Sequence, residues 1–309
     1  MDYNCIIILG PTASGKTSLS INLAKLLNGE IVNADSQQII KKLDVGTAKI
    51  SEEEKENIPH HLFNIINVGD EFSVSEYRNL AMNTIRDIWN RNSFPIIVGG
   101  TGFYINSLIY DYSFGNTEKN DEIRANLEQL AKDKGNRYVY SILSELDPES
   151  ASKLHENDLK RVIRAIEIFK LSGEKKSNQS LTHNKDLKPL IIGLNVERQV
   201  LYDRINKRVD LMLKNGLEDE VNKLFKSKIY DNEKLSNELP IGYSEWYDYF
   251  NNNISKEETV EKIKQDSRHY AKRQITWFKK VENVNWINID SDSFDFNKLA
   301  NEVANKIKK

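Results

Sequence analysis

Gly10-Pro11-Thr12-Ala13-Ser14-Gly15-Lys16-Thr17 constrains this chain more than any other stretch. It fits G-x-x-x-x-G-K-[ST] and lies between an apolar run, Cys5 to Leu9, and a helical run from about Thr17 to Leu27. Strand, glycine-rich turn and helix in that order are the context the motif needs. The glycines let the backbone curl until several N–H groups face one anion. The helix N-terminus adds partial positive charge, and Lys16 adds a full one. Thr17 is placed to ligate Mg²⁺. The motif specifies a phosphate or pyrophosphate and leaves open which molecule carries it.

The rest of the chain extends that beginning into an α/β fold. Glu30 to Ala34 and Pro95 to Val98 read as further buried strands, with a helical stretch, Ser75 to Asn90, between them. Strands separated by helices imply parallel pairing. From Tyr112 to Leu187 helical patterns replace the strand signal, over Glu122 to Lys134, Arg137 to Glu145 and Asp158 to Leu171. The polar, turn-rich stretch from Gly173 to Lys188 marks a boundary, and strand character returns at Leu190 to Val196 and Val284 to Ile289. The expected architecture is a P-loop NTPase-like parallel sheet flanked by helices, interrupted by an all-helical insertion. Residues 1–111 and 188–309 form the core with its C-terminal helices, and 112–187 the insertion.

Composition sets outer limits. The 309 residues carry 44 basic and 46 acidic side chains, so no overall basic field advertises nucleic acid, although a local basic face suffices. One cysteine, Cys5, supports neither a disulfide framework nor a four-ligand zinc site. The apolar run at the start is too short to span a membrane. A cytoplasmic protein without membrane association, acting as a monomer, is the expectation.

In a parallel sheet, ligands bind beyond the carboxyl ends of the strands. The second strand delivers Asp35 and Ser36, and the third delivers Gly99-Gly100-Thr101-Gly102-Phe103-Tyr104. Asp35 could be a Mg²⁺ ligand, a general base or a helix cap. The third strand lacks the aspartate of a Walker B strand, which counts against ordinary ATP hydrolysis.

Together these segments resemble the tRNA dimethylallyltransferases of bacterial type, along nearly the whole chain. Beside the P-loop, the resemblance is carried by Asp35-Ser36-Gln37-Gln38, Asp44-Val45-Gly46-Thr47-Ala48-Lys49, Pro59-His60-His61 and Gly99-Gly100-Thr101-Gly102-Phe103-Tyr104. Further blocks are Asn157-Asp158-Leu159-Lys160-Arg161, Leu201-Tyr202-Asp203-Arg204-Ile205, Gly216-Leu217-Glu218-Asp219-Glu220-Val221, Ile241-Gly242-Tyr243 and Arg268-His269-Tyr270-Ala271-Lys272-Arg273-Gln274. Many blocks in family order are more specific than any single motif.

The resemblance implies that dimethylallyl diphosphate alkylates N6 of adenosine 37 in tRNA, next to the anticodon, releasing pyrophosphate. It gives Asp35 the part of general base, taking the proton of a weakly nucleophilic amine. Gly10, Pro11, Thr12, Ala13, Ser14, Gly15, Lys16 and Thr17 then hold the diphosphate, with Mg²⁺ at Thr17 and Arg204 as an added clamp. Thr101 contacts the target nucleotide, and Asp35, Ser36, Gln37 and Gln38 read the flipped base. The implied tRNA contacts also include Arg124, Leu159, Lys160, Arg161, Val162 and Ile163 on the insertion, and Gly242, Tyr243, Arg268, Lys272 and Arg273 near the C-terminus. From Lys262 to Lys280 the only acid is Asp266, so this helix is locally basic. The resemblance leaves the role of His60 and His61 open; paired histidines in a loop are more often structural or solvent-facing than catalytic. Rival readings are an ATP-dependent small-molecule kinase, an adenylate isopentenyltransferase acting on free AMP or ADP, and a nucleotide-switched RNA-binding protein. The helical insertion and basic C-terminal helix argue against a free nucleotide as acceptor.

Overall fold

Every residue from Cys5 to Leu9 is apolar, and all five are fully buried. A strand covered on both faces has no use for polar alternation. In the computed structural model, which describes residues 2–111, 119–178, 182–231 and 233–308, this is strand β1. The others are β2 (Gly29–Asn33), β3 (His60–His61), β4 (Phe94–Gly99), β5 (Tyr110–Asp111), β6 (Thr182–His183), β7 (Pro189–Val196) and β8 (Asn285–Ile289). Six of them form one sheet in the order β3-β2-β4-β1-β7-β8, with every pairing parallel. The helices are α1 (Lys16–Leu27), α2 (Val74–Asn90), α3 (Gly102–Ile109), α4 (Asp121–Lys134), α5 (Asn136–Leu146), α6 (Pro148–Ser152), α7 (Leu159–Ser172), α8 (Arg198–Lys214), α9 (Leu217–Lys226), α10 (Glu233–Glu238), α11 (Trp246–Phe250), α12 (Lys256–Phe278) and α13 (Phe296–Lys308).

The expected parallel α/β core is therefore present, and three local readings change. Gly102 to Ile109, expected only as a glycine-rich turn, continues as helix α3. His60 and His61 form a short edge strand on β2. The chain separates into a unit of residues 1–109 with 185–309, and a second unit of 110–184, against the expected 112–187. Two residues earlier, Tyr110 and Asp111 pair antiparallel with His183 and Thr182, so a small ladder closes the neck of an otherwise helical unit. Residues 112–118, where the sequence places the insertion's start, lie outside the described residues, as do 179–181 in the polar boundary stretch.

Two of the larger unit's apolar clusters bear on the site. One packs β1, β7 and β8 against α1 and α13 through Ile6, Ile192, Leu19, Leu23, Val303 and Ile307. The other gathers Leu43, Leu217, Val221, Tyr243, Trp246 and Ile263. The smaller unit has its own, formed by Leu127, Val139, Leu143, Val162 and Ile166 from α4, α5 and α7. Helix α12, 23 residues long, starts on a capping box in which Ser255 and Glu258 satisfy each other's backbone N–H groups.

Candidate active site

At the end of β1 the chain enters the phosphate-binding loop through backbone that few residues tolerate. Gly15 has φ of 94°, and a Cβ there would fall 2.1 Å from the Phe296 ring. Lys16 folds over the loop and donates from Nζ to the carbonyls of Gly10 (2.9 Å) and Pro11 (2.7 Å). The Ser14 hydroxyl is buried and has no hydrogen-bond partner. An orphaned donor inside an anion loop is the signature of a cradle whose partner is an oxyanion.

The end of β2 delivers Asp35 in a braced turn. Asn33 accepts from the Asp35 backbone N–H at 3.0 Å and donates to the Asp35 carbonyl at 3.2 Å and the Leu62 carbonyl at 3.0 Å. Asp35 Oδ1 accepts from Gln37 N–H at 3.0 Å, so one oxygen fixes the turn. The end of β4 comes against that turn: a Cβ on Gly99 would fall 2.1 Å from the Ala34 carbonyl. Thr101 N–H donates to Ala34 at 3.1 Å, while its hydroxyl accepts from Ser36 N–H at 2.8 Å and donates to Ser36 Oγ at 3.0 Å. Glycine is required here because two backbones touch.

These three strand ends open into one cavity, lined by Thr12 to Thr17, Asp35, Gln37, Gln38 and Gly99. Two helices complete its wall. From α8 come Ile205, Arg208, Val209 and Met212; from α12 come Ser267 and Tyr270; Ile241 adds a further apolar side chain. The polar half can hold an anion and a base edge, and the apolar half a small hydrocarbon.

The charges are arranged accordingly. Burial pushes Lys16 down to about 8, opposed by the Asp35 carboxylate and assisted by the Arg208 cation. Arg208 is lowered for the same reason, with Asp35 again opposing, and it donates to the Thr12 hydroxyl at 3.3 Å. Arg204, the expected clamp, lies elsewhere: it binds Asp292 Oδ1 at 2.8 Å and the Ser291 carbonyl at 2.7 Å. The arginine of α8 that lines the cavity is Arg208, one turn further along. Leu201, Ile205 and Val209 form the buried stripe of that helix, and 208 borders it on the cavity side. Reading that stripe first would have favoured Arg208.

Several expected tRNA contacts are corrected by burial. Tyr243 is fully buried, and its hydroxyl donates to Glu220 and accepts from Gly46 N–H at 2.9 Å. Gly242 beside it is also buried and donates its N–H to Glu245 at 2.9 Å. Val162 and Ile163 belong to the core of the smaller unit, and Leu159 packs against it. Arg124 pairs with the fully buried Glu167 at 2.9 Å through two bonds. Although burial raises that carboxyl, bonds from Arg124 and Arg164 hold it below its usual range. Tyr243, Val162 and Ile163 are spent inside the fold, and the partly exposed Arg124 guanidinium is taken up by Glu167. Lys160 and Arg161 are exposed, the latter 3.0 Å from Asp158.

On α12, Lys272 and Arg273 are exposed, while Arg268 donates to Asn206 at 2.7 Å. His269, Lys272, Arg273, Thr276, Trp277 and Lys280 line a shallow groove, beside which the exposed Phe103 leans on Trp277 at 4.4 Å between ring centres. Phe103, Tyr270 and Gln274 have no sequence signal beyond their block. His60 bonds to the Ile58 carbonyl and His61 to Glu30, which the Arg91 guanidinium and then His61 hold down at about 2, so both rings are tied to the edge of the sheet.

A P-loop whose cavity also presents a carboxylate and an apolar wall defines a diphosphate-handling transferase more closely than a hydrolase. Comparison with known sequences agrees. The profile described as "IPP transferase" matches residues 38–281, and one described as "Isopentenyl transferase" matches 3–68. The tRNA dimethylallyltransferase of Caldanaerobacter subterraneus subsp. tengcongensis is 46% identical over 94% of this chain and 93% of its own. That of Acetivibrio thermocellus is 48% identical over the same shares. Among solved structures, the tRNA isopentenylpyrophosphate transferase of Bacillus halodurans is 41% identical, with a TM-score of 0.72 over 99% of this chain and 96% of that one. A eukaryotic dimethylallyltransferase solved acting on tRNA has a TM-score of 0.86 at 30% identity, over 98% of this chain and 78% of that one. The chain belongs to the IPP transferase family, whose members here are the tRNA dimethylallyltransferases.

Proposed function

We propose that the chain transfers a dimethylallyl group from dimethylallyl diphosphate to N6 of adenosine 37 in tRNA, releasing pyrophosphate. The observation that carries this is one cavity holding a diphosphate cradle, a braced carboxylate and an apolar wall. The P-loop N–H groups, Lys16 and Arg208 are aimed at the oxygens on which negative charge grows as the allylic C–O bond breaks. Ile205, Val209, Met212 and Ile241 suit the five-carbon group. Asp35, one oxygen fixed by Gln37 N–H, keeps the other for the proton of the adenine amine. Thr101 and Ser36, hydrogen-bonded to each other, present hydroxyls beside that carboxylate.

The donors present suit Mg²⁺: Thr17 lines the cavity and would offer its hydroxyl as a hard oxygen ligand, and the orphaned Ser14 hydroxyl belongs to the same anion loop. A bound Mg²⁺ would neutralise leaving-group charge. Among the described residues no cluster of three acidic, histidine or cysteine side chains forms a cage, which fits an ion shared with the substrate's phosphates.

Exposed cations draw tRNA: Lys272 and Arg273 on the larger unit, and, on the smaller unit taken by itself, Lys160 and Arg161. We take the chain to act as a monomer in the cytoplasm; sedimentation at micromolar concentration tests the first point. No helix among the described residues is long and apolar enough to cross a membrane. The central test incubates the protein with Mg²⁺, dimethylallyl diphosphate and unmodified tRNA. A five-carbon mass gain on adenosine 37 is expected. Modification of free AMP with none on tRNA overturns the proposal.

A further inference from the structure

Gln274 sits near the C-terminal end of α12, 4% exposed, and its amide spans two strand ends. Its Oε1 accepts from the Thr12 backbone N–H of the phosphate loop at 2.8 Å. Its Nε2 donates to the Gly100 carbonyl, beyond β4, at 3.0 Å. A Cβ on Gly100 would fall 2.2 Å from that nitrogen, so glycine at 100 is what admits the amide. Tyr270, one turn earlier on α12, is half-buried beside Gln274 and Thr101. Thr101 in turn bonds to Ser36. Gln274 thus ties the loop on the leaving-group side to Gly100, whose chain neighbour Thr101 is bonded into the turn on the nucleophile side.

The geometry points to Gln274 as a positioning residue for the transfer, setting the distance between the diphosphate cradle and the Asp35–Thr101 turn. This inference rests on the transferase reading of the same cavity. Its physical basis is the amide's two-sidedness: the loop needs an acceptor and Gly100 needs a donor, and a primary amide supplies both in one rigid group. In-line displacement is sensitive to ångström-scale separation of its partners. A crossbar between the two sides acts on turnover and leaves RNA docking alone, because Gln274 is buried beneath the exposed face of α12 that carries Lys272 and Arg273.

Two substitutions separate this from a packing role. Gln274→Met keeps the volume and removes both bonds. Gln274→Glu keeps the acceptor for Thr12, but as a carboxylate it has no donor and sets a negative oxygen against the Gly100 carbonyl. Protonated, it regains an O–H donor. Steady-state kinetics with dimethylallyl diphosphate and tRNA, from pH 5.5 to 8.5, should show kcat lowered at least tenfold by Gln274→Met at every pH, with KM for tRNA within twofold. For Gln274→Glu, the ratio of its kcat to wild-type kcat should rise as pH falls, by up to about tenfold per unit where the carboxyl titrates. Unchanged kcat in Gln274→Met, a pH-independent ratio in Gln274→Glu, or a loss confined to KM for tRNA overturns the inference. If circular dichroism shows Gln274→Glu unfolded, the kcat-against-KM split of Gln274→Met decides alone. Wild-type protein inert toward tRNA in the same assay would instead count against the transferase reading.

Discussion

Asp35 and Arg208 face one cavity from opposite chemistries, and their substitutions should separate cleanly. Asp35→Asn keeps the acceptor for Gln37 N–H and removes the base, so kcat should fall about 10²- to 10⁴-fold with tRNA binding intact. Equal loss of binding, measured by filter retention of tRNA, would make Asp35 an anchor. Arg208→Ala should cost about 1.5–3 kcal/mol in kcat/KM for the allyl diphosphate, the range for hydrogen bonds to a charged group. Arg204→Ala should leave that constant near wild type, because Arg204 binds Asp292. Lys16 predicts a pH effect. Its folded value is lowered to about 8, so the cation is present below that pH and lost as pH rises through it. Affinity for the allyl diphosphate should accordingly weaken above pH 8, as inhibition by pyrophosphate across that range would reveal.

At the scale of elements, close approaches set where helices sit. Helix α3 can meet α12 only because residue 102 is glycine: a Cβ there would lie 2.2 Å from Trp277 Cδ1. Gly102→Ala should destabilise the protein by about 1–3 kcal/mol, the usual cost of overpacking, and lower kcat by moving the adjoining Thr101. A melting temperature and a kcat both unchanged would show that α12 yields freely. The Glu220–Tyr243–Gly46 junction makes a contrasting case. Glu220 accepts from the backbone N–H groups of Asp44 and Val45 at 3.0–3.2 Å, and buried Tyr243 closes the group. Tyr243→Phe leaves the buried Gly46 N–H without its 2.9 Å acceptor and Glu220 short of a donor, costing about 1–3 kcal/mol of stability. Its KM for tRNA should not change.

For the whole molecule, a net charge of −2 means that RNA must be drawn by local fields. The exposed groove of α12 offers Lys272, Arg273 and Lys280. Lys272→Glu with Arg273→Glu should raise KM for tRNA and flatten its dependence on salt, by about 0.7 in log–log slope for each single-strand phosphate no longer neutralised. An unchanged slope would move the docking face elsewhere. Across the chain, the core strands, the phosphate loop, Asp35 and Thr101 were all legible in sequence, because apolar runs and glycine spacing report backbone requirements locally. The burial of Tyr243 and Val162, and the pairing of Arg124 with Glu167, were not. A block of polar or aromatic residues reads alike whether it meets a ligand or a neighbouring helix.

By itself, then, the sequence determined that a strand, an anion loop and a helix succeed one another, that parallel strands follow, and that a helical segment interrupts them. Each of these depends on residues close together in the chain. Tertiary structure alone decided which arginine of α8 faces the anion, and which members of each block are spent on packing. It also decided that α12, some 260 residues from the loop, lays Gln274 across Thr12 and Gly100. Those outcomes depend on how a helix is rotated about its axis, and that angle is fixed by the cores it packs against.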